Sequence, residues 1–153
     1  MGGGIMKIDH ITIQGNSVIR DSLDINLKTL DFFKRFQVKN GVHEFQIPHT
    51  DFKIKITVDE GIALFDIKKG DSIAYTNICC LNPESREYAK YLVLSLLKKM
   101  PQINQQIIKE PTVDYFFYTI PVNPFCISPS EHVLSGEIEL YIYYSLYIAN
   151  KQL

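Results

Sequence analysis

Three small groupings of residue type and spacing in this 153-residue chain could do chemistry. Asp51 opens one strand-like run, and Asp66-Ile67-Lys68 closes the next. Two carboxylates can hold a divalent metal while a lysine steadies an attacking water, the arrangement that phosphodiester cleavage needs. His43, His49 and Asp51 bring imidazole and carboxylate donors to one turn, ligand types that zinc accepts. Pro48 interrupts the strand register that would aim the two histidines together. Cys126 and His132 share a Pro-rich loop and are the thiol and base of a nucleophilic pair. No G-x-S-x-G elbow or cysteine-hydrolase signature accompanies them. Each grouping has a plain structural reading too: Lys68 as a turn lysine, His43 as a core histidine beside Phe45 and Ile47, Cys126 as a loop thiol.

Short strands must position these residues. Met6 to Ile13 alternates apolar and polar positions and ends at Gly15-Asn16, a turn signal. Leu23, Ile25 and Leu27 alternate with polar neighbours. Thr29 suits the cap of a short helix through about residue 37, with Leu30, Phe33 and Phe36 as its apolar stripe. That helix also interleaves aromatic and basic residues, as nucleic-acid binders do, but helical spacing sends the aromatics to the core and the basic side chains to solvent. After Asn40-Gly41 come Val42 to Ile47, Asp51 to Val58, Ile62 to Ile67 and Ser72 to Leu81, joined by tight turns. Turns of two to four residues cannot make a parallel crossover, so these four strands predict an antiparallel meander.

The strand Ser72 to Leu81 feeds a capped amphipathic helix, Pro83 to Met100, the hub of the predicted fold. Asn82 is a good N-cap, Pro83 suits the first helical position, and Pro101 forbids continuation. Tyr88, Leu92 and Leu96, beside Ala89, Val93, Leu97 and Met100, predict the buried stripe. The segment Leu81-Asn82-Pro83-Glu84-Ser85-Arg86, followed by Leu96-Leu97, is similar to the coenzyme A-binding segment of GCN5-related N-acetyltransferases. The resemblance covers about thirty residues and implies acyl transfer, with a pyrophosphate cradled by N–H groups at the helix start. The chain departs from that family's Arg/Gln-x-x-Gly-x-Gly/Ala pattern, because Ala89 and Tyr91 stand where the glycines would be. The Asp51…Asp66-x-Lys68 spacing likewise resembles the metal-binding pattern of restriction-endonuclease-like nucleases, which implies a metal-dependent nuclease.

Beyond the helix, Thr112 to Ile120 reads as an aromatic strand, and Pro121, Pro124 and Pro129 as an irregular connection. Gly136 precedes a last segment in which Ile138, Leu140, Ile142, Tyr144, Leu146 and Ile148 occupy every second position. That alternation of β-formers predicts a strand over 138–148. Its other face carries Tyr141, Tyr143 and Tyr147, rimmed by Glu137 and Glu139. Tyrosine offers contact area at little rotamer cost, so this face is the expected binding surface.

Composition narrows the classes. Apolar residues make up 46% and charged residues 22%, and the formal net charge is −1, so nothing steers the chain toward nucleic acid or a membrane surface. The three cysteines form no zinc spacing and no even disulfide framework, which predicts reduced thiols and a cytoplasmic protein. Met1-Gly-Gly-Gly4 reads as an appended or flexible start, leaving 5–153 as one domain. The expected fold is α+β, an antiparallel sheet of about six to eight strands with one principal helix packed on it. The expected function is a non-catalytic binding or interaction module, a small regulator or immunity-type protein. It needs no cofactor, and its partner is a protein or a second copy of itself. A divergent acyltransferase and a metal-dependent nuclease are the alternatives.

Overall fold

The computed structural model describes residues 5–14, 17–26, 40–47, 49–101, 103 and 115–152. The expected short helix over 29–37 lies outside them. Among the described residues, seven strands form one sheet: β1 (Ile5–Gln14), β2 (Ser17–Asn26), β3 (Gly41–Gln46), β4 (Phe52–Asp59), β5 (Ile62–Lys69), β6 (Ser72–Cys80) and β7 (Phe116–Pro121). Their spatial order is β2-β1-β7-β6-β5-β4-β3. The meander β3 to β6 is antiparallel as predicted. The sheet as a whole is mixed, because β1 pairs with β7 in parallel from Asp9↔Phe116 to Thr12↔Thr119. Hairpin logic governs only strands joined by tight turns, and β1 and β7 are a hundred residues apart.

A turn of 3-10 helix, Pro83–Ser85, leads into α1 (Arg86–Lys98). The Asn82 side chain accepts from the Ser85 N–H at 3.1 Å, as the cap chemistry predicts. Gly61, at φ +85°, makes this corner possible: a Cβ there would come within 2.1 Å of the Asn82 side chain. The buried line of α1 is Ala89, Val93 and Leu97, continued by Met100 just past its end, against Ile78, Cys80, Phe116 and Tyr118. Leu92 and Leu96 flank that line and are partly buried, while Tyr88 is exposed.

The C-terminal segment overturns the strand expected over 138–148. Residues Pro129–Gln152 form a 24-residue helix, α2, across the other face of the sheet. The alternation misled because tyrosine and isoleucine favour strands. The buried residues Ser135, Ile138, Glu139, Ile142, Tyr143, Leu146 and Tyr147 instead recur at intervals of three and four. A start signal lies just upstream in Ser128-Pro129-Ser130-Glu131. The Glu131 carboxylate accepts from the Ser128 N–H at 2.9 Å, and the Ser128 hydroxyl accepts from the Glu131 N–H at 3.4 Å. That reciprocal pair, with Pro129 at the first helical position, is a capping box. Glu131 also accepts two hydrogen bonds from the Lys69 ammonium, at 2.7 and 2.8 Å, pinning α2 to the end of β5.

Each helix buries its stripe on one face of the sheet, and the strands beneath supply both cores. Cys79 packs in the core under α2 and its neighbour Cys80 in the core under α1. This is the opposite-face placement that consecutive strand residues require. No helix of the described residues is long and apolar enough to cross a membrane.

Candidate functional site

The expected tyrosine surface is largely interior. Tyr143 and Tyr147 are fully buried and Glu139 is 8% exposed. The side chains of Tyr141 and Glu137 lie outside the described residues. Tyr143 packs on the Phe117 ring at 3.6 Å between centroids. The Tyr147 hydroxyl reaches the carbonyls of Cys80 at 2.5 Å and Phe116 at 2.8 Å, tying α2 to the paired ends of β6 and β7. These are structural roles.

The other groupings are spread out. Asp51 adjoins Phe52, which pairs with Lys69, while Asp66 pairs with Lys55. At the rise of a strand, the two aspartates are therefore about 13 Å apart. Asp66 accepts from the Thr76 hydroxyl at 2.8 Å. Lys68 lines a hollow with Lys53 and Lys55, whereas Asp51 lines a different recess with Lys69 and Cys126. Among the described residues, no three of His, Cys, Asp and Glu are placed to hold a metal, His43, His49 and Asp51 included. His132 Nδ1 meets the Tyr75 hydroxyl at 2.7 Å, and it is Tyr75, not Cys126, that it engages. At the start of α1, the Asn82 side chain occupies the Ser85 N–H that a phosphate cradle would use.

A site that the sequence did not suggest lies between β1, β2, β7 and α2. His10 and Thr12 project from β1 toward α2, and the His10 ring stacks on Phe117 at 4.0 Å with 8° between planes. His10 Nε2 lies 2.8 Å from the Thr119 hydroxyl, and that hydroxyl donates to Asn77 Oδ1 at 2.6 Å. Because the Thr119 proton is committed to Asn77, Nε2–H of His10 is the donor to Thr119. Neutral His10 then presents a lone pair at Nδ1, and Asp21 Oδ2 stands 4.0 Å from it. The ladder carries a cost: nothing among the described residues accepts from the buried Nδ2 of Asn77.

Over this ladder α2 lays Val133, Gly136, Glu139 and Leu140, which with His10, Asp21 and Phe117 line a half-open cavity of about 390 Å³. A Cβ built at Gly136 meets no atom within 4 Å, so this glycine opens space. Burial pushes the Glu139 carboxyl up to about 8. Burial also lowers His10 to about 4, against the pull of Asp21 and Asp9. At neutral pH the cavity therefore presents a neutral imidazole, a mostly protonated carboxyl and the Asp21 carboxylate. Among the described residues, no lysine or arginine lines it.

The signals for this site in the sequence were faint. His10 stood in an alternating strand and Glu139 in a helix read as a strand, and only the parallel β1–β7 pairing brings them to one cavity. Compared with protein-family models, curated proteins and solved structures, the chain matches none of them.

Proposed function

We propose that the chain is a non-catalytic binding module whose ligand is a small molecule seated between α2 and strands β1, β2 and β7. The observation that carries this reading is the cavity beneath α2, in the size range of small-ligand sites, with apolar walls and a few convergent polar groups. Phe117, Val133 and Leu140 supply the apolar wall, and His10, Asp21 and Glu139 supply the polar one. The Thr119–Asn77 relay holds the His10 ring in place, as preorganised recognition requires.

The test compares the wild-type chain with Gly136→Leu, whose side chain grows into the cavity. A panel of small metabolites is screened by thermal shift. A ligand at a hundred times its dissociation constant stabilises by about 2.7 kcal/mol. The expected result is a shift in the wild-type chain that is absent in Gly136→Leu. Shifts of equal size in both proteins would place binding elsewhere and remove the basis of the reading.

A further inference from the structure

Resting on that reading, we infer that the ligand is a small organic cation, a protonated primary amine on a short apolar body. Two features of the cavity point to it independently. At its mouth, His10 Nδ1 and Asp21 Oδ2 are two acceptors 4.0 Å apart with no hydrogen between them in neutral His10. An ammonium donates up to three hydrogen bonds and accepts none, so one N–H to each atom satisfies both. Glu139 is 8% exposed, lines the same cavity, and has no cation beside it among the described residues. Leaving a carboxylate there without a counter-ion is expensive, and a bound cation removes that expense. Phe117, Val133 and Leu140 take the apolar body.

An anionic ligand fits the same groups poorly. It would meet the Asp21 carboxylate at the mouth and, among the described residues, no arginine or lysine in the lining. A neutral apolar ligand would leave both the Asp21–His10 acceptor pair and Glu139 unanswered.

The inference has a signature in proton uptake. Empty, Glu139 holds its proton up to about pH 8, and an ammonium beside it favours the ionised form, so amine binding displaces a proton. Among the described residues, Asp21 from β2 and His10 from β1 share the cavity lining with Glu139, and Tyr75 and Cys79 from β6 interact with it. His10 titrates near 4, and burial pushes Tyr75 and Cys79 upward, so none of these three changes charge between pH 6 and 8.

The experiment titrates the full chain with n-hexylamine, n-hexanol and hexanoate by calorimetry at pH 6, 7 and 8, in two buffers of different ionisation enthalpy. Hexylamine is expected to bind most tightly, to release nearly one proton at pH 7, and to gain roughly fifty-fold in affinity from pH 6 to pH 8. Asp21→Asn and Glu139→Gln are each expected to weaken hexylamine at least tenfold, and Glu139→Gln to abolish the proton release. Both changes are close to isosteric, and unchanged melting cooperativity verifies that the variants fold. Hexanoate or hexanol binding more tightly than hexylamine, with Gly136→Leu abolishing it, overturns the amine while leaving the cavity reading intact. Binding of all three probes unaffected by Gly136→Leu, or no binding by any of them, overturns both.

Discussion

At the scale of the residue, Tyr147 shows how a side chain suited to an interface becomes a staple of the core. Its ring is fully buried, and its hydroxyl serves the carbonyls at the paired ends of two central strands. A hydroxyl has one proton, so the two carbonyls share it. Burial pushes the phenol well above its ordinary range, so it remains a donor at any physiological pH. Tyr147→Phe keeps the ring and strips the donor from both carbonyls. The expected loss is about 1–3 kcal/mol of unfolding free energy, read from urea midpoints at unchanged slope. A midpoint equal to wild type would mean that water reaches those carbonyls.

At the scale of the element, both helices are started by side chains and held by stripes. Ser128→Ala removes half of the capping box of α2 and is expected to cost about 1 kcal/mol, with helix content by circular dichroism kept at low temperature. In α1 the buried line runs through Val93 and Leu97, with Leu92 to one side. Leu97→Ala is therefore expected to cost about 2–5 kcal/mol, and Leu92→Ala clearly less. Equal losses from the two substitutions would show that the helix is rotated from the position described. For α1, the cap, the stopping proline and the general direction of the stripe were all readable along the chain. For α2 a cap and a stripe were readable too, in Ser128-Pro129-Ser130-Glu131 and in the three-and-four spacing. The period of two through the isoleucines and tyrosines was longer, and β-propensity favoured it. Propensity is a weak prior, and burial of a full stripe against the sheet outweighed it.

At the scale of the whole molecule, two buried titratable groups set how stability varies with pH. Glu139 has a raised folded value, so the native state holds a proton that the unfolded chain has already lost. Its contribution is greatest below 4.5 and falls as pH rises to about 8. His10 has a lowered folded value, so its contribution is complete above 6.5 and is lost as pH falls toward about 4. Between 4.5 and 6.5 the two slopes oppose each other, and from 6.5 to 8 only that of Glu139 remains. Urea midpoints are therefore expected to decline from pH 6.5 to 8, by up to about 1.4 kcal/mol per pH unit in free energy. In Glu139→Gln the profile over that window is expected to be flat. A wild-type profile that is flat there as well would show that Glu139 is solvated in the native state.

The sequence by itself determined an α+β domain, the antiparallel run from β3 to β6, and α1 with its cap. In each case the signal is local: alternation, tight turns and capping chemistry act within about ten residues. It also placed Cys79 and Cys80 on opposite faces, since strand geometry leaves them no choice. Only the tertiary structure decided that β7 enters between β1 and β6, that the last segment is a helix, and that His10, Asp21 and Glu139 border one cavity. Those outcomes depend on contacts between residues about a hundred positions apart. No local period reports such contacts, and burial across two sheet faces settles them. Tyr143 and Tyr147 moved from expected surface to core for that reason, and Glu139, expected at the rim of a binding face, became the buried carboxyl of the candidate site.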